Sequence, residues 1–285
     1  MSEILTRVSD LSVQIFAIAS MAAVGLRYTL REILAPLRRF WAVVLALAGN
    51  FVAVPMLAFV ILQVIELDQA YAIGLVLVAS AAGAPMVIRL TQLSGGNVAF
   101  GAGMLVLLVV ASIAYMPLAV PLLAPGSEIS AWAIAAPLML TMLLPLALAV
   151  LLKHLTPRAG RVLPFLGLVT NISLLLLVIL TFALNLPMVA GVVGTGAILA
   201  ALLFITGAFA IGWLLGGLFG DDLRDEMPLA TSQRNFAAAM VVATQTFEAP
   251  GVLVMVVVVS LVTMAVLFPA AKLLSRHAHR RQKAA

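Results

Sequence analysis

The stretch GLVLVASAAGAPMVIRLTQLSGGN, residues 74–97, decides how this chain folds. Its first part is as apolar as a bilayer interior, and the whole stretch exceeds the roughly 20 residues that a helix needs to cross one. Its middle breaks the pattern. Ser80, Gly83 and Pro85 interrupt the run at membrane depth, and Arg89, Thr91 and Gln92 follow. An interior glycine costs a helix about 1 kcal/mol and an interior proline about 3 kcal/mol relative to alanine. Backbone groups freed by such a break find no water in lipid, so they are tolerated only where they face protein or a wet cavity. The stretch therefore predicts a broken membrane helix whose break lies inside the protein.

The surrounding sequence fits that reading. Of 285 residues, 64% are hydrophobic and 9% are charged, where a soluble domain carries roughly 25% charged residues. Apolar runs predict crossings near 9–26, 37–64, 69–93, 96–123, 131–152, 163–186, 189–219, 227–246 and 249–274, nine in all. The runs lack the apolar/polar alternation of barrel strands, so the fold class is an all-α integral membrane protein. The absence of cysteine excludes disulfides, thiolate metal sites and cysteine nucleophiles. The first run, Leu11 to Leu26, has no basic region before it and no clear small-residue cleavage site, so it reads as a retained helix.

The net charge of +5 reflects topology rather than a nucleic-acid partner. Thirteen basic residues (Arg27, Arg31, Arg38, Arg39; Lys153, Arg158, Arg161; Arg224; Lys272, Arg276, Arg280, Arg281, Lys283) fall in segments on one side, and Arg7 falls on the other. Short loops rich in Lys and Arg stay cytoplasmic. The expectation is a multi-pass protein of the cell inner membrane with its amino terminus outside and a basic cytoplasmic tail over 275–285.

A weak repeat runs through the chain. Thr91-Gln92 precedes a run ending near Pro117 to Leu123, and Thr244-Gln245 precedes a run ending near Pro269 to Leu274, an offset that spans five crossings. An odd number of crossings gives the halves, about 9–123 and 131–274, opposite topology, as in many secondary transporters. The eighth crossing, the counterpart of the third, is also interrupted, by Pro228 and by Thr231, Ser232, Gln233, Arg234 and Asn235.

Two arginines inside the predicted crossings carry the chemical argument. A guanidinium is charged at any physiological pH, and burying it costs several kcal/mol unless it reaches water or a partner. All eleven acidic residues fall in predicted tails or loops, so none is expected to pair with Arg89 or Arg234. Their counter-charge is then helix-end carbonyls, amide side chains or an anionic ligand; Arg89 alternatively snorkels to the surface. Asn50, Asn171 and Ser173 are further polar candidates, or else helix-to-helix hydrogen bonds. Tyr115, Trp41, Trp132 and Trp213 read as packing or interface aromatics. The three histidines, His154, His277 and His279, lie in basic segments, so neither a metal centre nor a His-activated nucleophile is expected.

Taken together, Gly25 to Leu30, Asn50 to Pro55, Gly74 to Asn97 and Ala230 to Met240 resemble the bile acid:sodium symporter family, with Gly96-Asn97 and Arg234-Asn235 standing where that family has a Gly-Asn turn and a Gln-Asn pair. The resemblance spans the chain apart from a missing first helix. It implies a core domain with two crossed broken helices beside a panel domain. It also implies sodium as a coupling ion, which the residues oppose. Val87-Ile88 stand where sodium-coupled members carry Ser-Asn, Ala230 replaces their glutamate, Arg234 their glutamine, and Gly101 and Leu105 their hydroxyl positions. Replacing oxygen donors by methyl groups and a cation removes both coordination and charge balance.

The resulting expectation is a non-enzymatic secondary transporter of a small organic anion, a carboxylate or sulfonate, with weak or absent sodium coupling and no cofactor. Its substrate site is expected at Arg89, Arg234, Asn235, Gln233, Ser232, Thr231, Asn50, Pro85 and Thr91. Ordinary sodium-coupled symport and a membrane receptor or assembly partner that does not transport are the alternatives. The sequence leaves the oligomeric state open.

Overall fold

The structure, a computed structural model, describes residues 2–34, 38–84, 86–94, 98–123, 129–184, 190–218 and 226–284. These are overwhelmingly helical, with no strand among them. Helix α1 (Ser2–Arg27) is followed by the single turn α2 (Leu30–Leu34), α3 (Phe40–Ala48) and α4 (Val54–Val64). The third apolar run is split into α5 (Gln69–Ser80) and α6 (Met86–Ser94), and α7 (Val98–Leu123) comes next. Then follow α8 (Ala131–Leu138), α9 (Leu144–Leu155), α10 (Leu163–Leu184) and α11 (Ala197–Gly217). The eighth run is split into α12 (Met227–Ser232) and α13 (Phe236–Thr246), and α14 (Pro250–Ala284) closes the chain. Helix α14 runs on through the expected tail as far as Ala284.

Among the described residues, seven helical spans are long and apolar enough to cross a membrane. The two split runs are additional, each in two pieces too short to cross alone. Large apolar side chains such as Phe59, Leu148, Phe165, Ile179 and Leu214 cover the outside, as a lipid-facing surface requires. Trp41 and Trp132, both exposed at the starts of spans, sit where indoles favour the membrane–water boundary.

Prolines shape two of the spans in one way. Between α3 and α4 the chain makes a π-helical turn, Gly49–Ala53, in which Val54 N–H bonds Gly49 O. In that register the next carbonyl, Asn50 O, faces residue 55, which is a proline and has no N–H to give. Another π-helical turn, Met139–Leu143, joins α8 to α9 just before Pro145. A π turn ahead of a proline absorbs the missing bond and leaves one carbonyl available for an outside donor.

Helix α1 packs against α9 and α10, forming one group of helices. The second group is built around the split helices: α4, α11 and α14 pack on them, and α7 lies against α5 and α6. One continuous apolar core joins the groups, with Met21, Leu75, Leu105, Phe204, Met240 and Met255 in it.

Candidate functional site

The two breaks meet. Helix α5 stops at Ser80 because the next residues leave helical geometry, and Gly83 adopts a φ of +79°, which L side chains rarely take. Its position is also crowded: a Cβ there would lie 2.6 Å from Val109 N and 2.9 Å from Leu105 O, both in α7. Ser112, on the same helix, holds the opened segment from the side. Its hydroxyl accepts from Ala82 N–H at 2.7 Å and donates to Ala82 O at 2.9 Å. Opposite, α12 ends at Ser232 and α13 starts at Phe236, capped by Asn235, whose Oδ1 accepts from Ala238 N–H at 3.1 Å. One main-chain bond, Asn235 N–H to Ala81 O at 2.9 Å, ties the two opened segments together.

Arg234 fills the junction. It is fully buried, at 0% exposure. Its Nε donates to Val78 O at 3.2 Å; Nη1 donates to Asn50 Oδ1 at 2.7 Å and Thr231 O at 3.2 Å; Nη2 donates to Ala79 O at 2.6 Å and Asn50 O at 3.3 Å. A guanidinium has five N–H donors, and all five are used within the chain. None of the acceptors is a carboxylate.

The acceptors have a common origin. Ala79 is in the last turn of α5 and Thr231 in the last turn of α12, so their carbonyls have lost their helical partners, and Val78 O keeps a bond from Ala81 N–H at 3.2 Å. Asn50 O is the carbonyl released by the π turn before Pro55. Helix C-terminal ends carry about half a negative charge each, and two of them converge here. The cation of Arg234 answers that charge, and each opened carbonyl gains a donor. Asn50 is fixed in turn, donating from Nδ2 to Ala46 O at 2.9 Å.

The predicted site residues divide around this junction. Arg234, Asn50 and Thr231 come together directly, and Asn235 ties the crossing. Gln233 and Ser232 are buried in the break itself, Gln233 N–H bonding Leu229 O and Ser232 Oγ donating to Pro228 O. Thr91 is buried in α6 and lines a small pocket with Asn50. Pro85 lies outside the described residues, as do the side chain of Arg89 and the turn at Gly96-Asn97. Pro228 belongs to the first turn of α12 rather than to the break. Asn171 is exposed on α10, away from the junction, and Ser173 is buried in the same helix.

One expectation is overturned. Glu226, expected with the other acids in a tail or loop outside the membrane-embedded part, is only 4% exposed and lines the same pocket as Asn50, Thr91 and Ala230. The reason is a close helix approach. Gly212 of α11 sits where a Cβ would lie 2.6 Å from Met227 O and from Pro228 Cα, so only a glycine lets the start of α12 settle this deep. Ser112 is a further residue that the sequence did not single out, because a lone serine in an apolar helix ordinarily bonds its own backbone.

At the junction Ser80 Oγ, Thr231 Oγ1 and Asn235 Nδ2 are buried without a hydrogen-bond partner among the described residues. The pocket beside it measures about 10 Å³, room for roughly one water-sized body. The junction is therefore closed to an organic solute in this conformation.

Val87, Ile88, Ala230 and Leu105 bring no side-chain oxygen to the positions where a sodium ligand is implied, and the freed carbonyls already bind the guanidinium. A family model described as the Sodium Bile acid symporter family matches residues 14–192. None of the curated proteins compared with the chain matches it.

Proposed function

Since the chain belongs to the sodium bile acid symporter family, whose members are transporters, we propose that it is a secondary transporter of a small organic anion in which Arg234 takes the structural part that a bound sodium ion has in its relatives. The observation that carries this reading is the all-oxygen cage around Arg234. Five neutral acceptors, drawn from two helix ends and one π turn, converge on a permanent cation. A metal ion entering that place would meet the guanidinium. Two unit charges 4 Å apart repel by about 4 kcal/mol at an effective dielectric of 20, close to a thousandfold in affinity.

With all its donors in use, Arg234 supports an anion through its field rather than through a hydrogen bond. The direct contacts fall to the junction groups that still have hydrogen-bonding capacity, Ser80, Thr231 and Asn235. They become reachable when the group containing α1, α9 and α10 moves relative to the split helices. The polar break at the crossing of two helices supports the transporter reading over a receptor, because backbone opened at membrane depth is costly unless it lines a path. By charge asymmetry the protein sits in the inner membrane with its carboxyl terminus in the cytoplasm.

Uptake into proteoliposomes of a panel of organic carboxylates and sulfonates tests the reading. Accumulation of at least one of them at equal rates in sodium and potassium is expected. Uptake that requires sodium would return ordinary symport to first place, and binding without uptake would make the chain a receptor.

A further inference from the structure

Asn171 is the polar candidate that the crossing leaves unused. It is the ninth of the 22 residues of α10, about 12 Å from the helix start at a rise of 1.5 Å per residue. At that depth the surroundings are hydrocarbon, yet Asn171 is exposed, and its amide makes no hydrogen bond among the described residues. Helix α10 packs mainly on α1. The span Arg158–Leu177 has 11% of its most apolar stretch buried in the chain, against 33–61% in the other six spans.

The face turned away from α1 has a pattern. Ser173, Leu177 and Leu180 are buried on one side of α10, whereas Pro164, Leu168, Asn171 and Leu175 are exposed and follow one another at spacings of 4, 3 and 4. With 3.6 residues per turn, the exposed stripe is roughly 180° from the buried one. Spacings of three and four are those of a coiled-coil seam, and a single Asn on such a seam fixes the register and number of the helices that meet there. Gly167, one turn before Asn171, has open space where its Cβ would be, which lets another backbone approach closely on that side.

Acyl chains cannot satisfy an amide, and an unsatisfied polar group in lipid is costly. An amide offers donors and an acceptor together, so it is its own complement. Two copies inserted in the same sense hold Asn171 at the same depth. A two-fold axis along the membrane normal then sets one amide against the other with no shift of register. Charge does not oppose this pairing. Helix α10 has no ionisable residue, and Arg161, exposed ahead of it, is screened from its copy by water and salt.

We infer that the chain is a homodimer in the membrane, joined through the outer seam of α10 with the two Asn171 amides hydrogen-bonded to each other. The seam belongs to the group of α1, α9 and α10, so the crossing in each copy is complete without its partner. The dimer stands whether or not the chain transports an anion.

The chain has no cysteine, so disulfide cross-linking of the full-length protein in membranes reads the interface directly. On oxidation, Leu168→Cys and Leu175→Cys are expected to give a band of twice the chain's mass. Leu214→Cys, comparably exposed on α11, is expected to give none. Energy transfer between labelled copies, followed as they are diluted in lipid, measures the strength of association. Asn171→Leu is expected to weaken it about 5- to 30-fold, the worth of one interhelical amide hydrogen bond. Asn171→Gln, which keeps the amide, is expected to recover part of that loss. The cross-linking needs no change at Asn171, so it decides the matter even if those variants insert poorly. A monomer at every dilution, association that Asn171→Leu leaves unchanged, cross-linking at Leu214→Cys as efficient as at the seam, or a seam cysteine joined to a different protein would each overturn the inference.

Discussion

The two breaks solve one problem by different means. At the first, residues 81–84, the chain is held by shape: a left-handed glycine pressed on α7 and a serine that closes both backbone groups of Ala82. At the second, residues 233–235, it is held by charge: Arg234 reaches out of its own break into the carbonyls of the first. Two opened helix ends of the same sign need only one cation between them. One break can thus be passive while the other carries the charge for both.

Removing the cation is the strongest way to break that asymmetry. Arg234→Met leaves the buried acceptors Ala79 O, Thr231 O, Asn50 O and Asn50 Oδ1 without the guanidinium, at about 1–3 kcal/mol for each that stays unpaired. Thermal unfolding in detergent checks it. Arg234→Lys is expected to recover part of the loss, since an ammonium keeps the charge but has three donors in place of five. Equal stability of the Met and Lys variants would mean that charge is not what holds the crossing.

Gly83→Ala attacks the passive break. The left-handed backbone costs an L residue about 1–2 kcal/mol, and forcing a methyl group against the α7 backbone adds about 1–3 kcal/mol. Gly101→Ala is the control. A Cβ there meets Thr91 Oγ1 at 3.6 Å and Thr91 Cγ2 at 3.9 Å, both ordinary contacts, so stability should hold. Ser112→Ala is milder. It leaves the N–H and C=O of Ala82 unpaired, at about 1–3 kcal/mol, and hydrogen exchange should rise at Ala82 while residues 233–235 stay protected. Spread of the exchange to the second break would show that the two are one unit.

These particulars show what could be read before the structure was seen. The breaks were legible because glycine, proline and a polar run stand out against apolar sequence, and Arg234 because charge at membrane depth is costly. Its partners were not legible. Val78 and Ala79 act through carbonyls, which every residue has, and they come from 155 or more positions away along the chain. Asn50 was visible as a polar residue, but its free carbonyl depends on a π turn that pattern does not display. Glu226 read as one of the loop acids; its burial is decided by Gly212 on another helix.

The smallest expected effect lies at a helix start that needs no cation. Thr29 and Glu32 form a reciprocal cap at α2: Thr29 N–H and Oγ both donate to Glu32 Oε2 at 2.7 Å, and Glu32 N–H donates to Thr29 Oγ1 at 3.3 Å. The backbone bond from Thr29, then its side-chain bond, hold the Glu32 carboxyl below its ordinary value. A lowered folded-state pKa means that the cap's contribution is present above the ordinary carboxylate range and is lost as pH falls through the lowered value. In solvent that contribution is small, under about 1 kcal/mol. Thr29→Ala should bring the Glu32 titration back up while leaving the crossing untouched, which carboxyl-selective spectroscopy can follow.

Sodium response of the unmodified protein is the most direct measure of whether a built-in cation has replaced a bound one. A ligand present at about 100 times its dissociation constant stabilises a fold by about 2.7 kcal/mol, well within reach of thermal unfolding. With sodium exchanged for potassium at constant ionic strength, the unfolding temperature is expected to stay the same, because Arg234 already occupies the carbonyl cage. A rise specific to sodium would contradict the account and place a metal ion at the crossing.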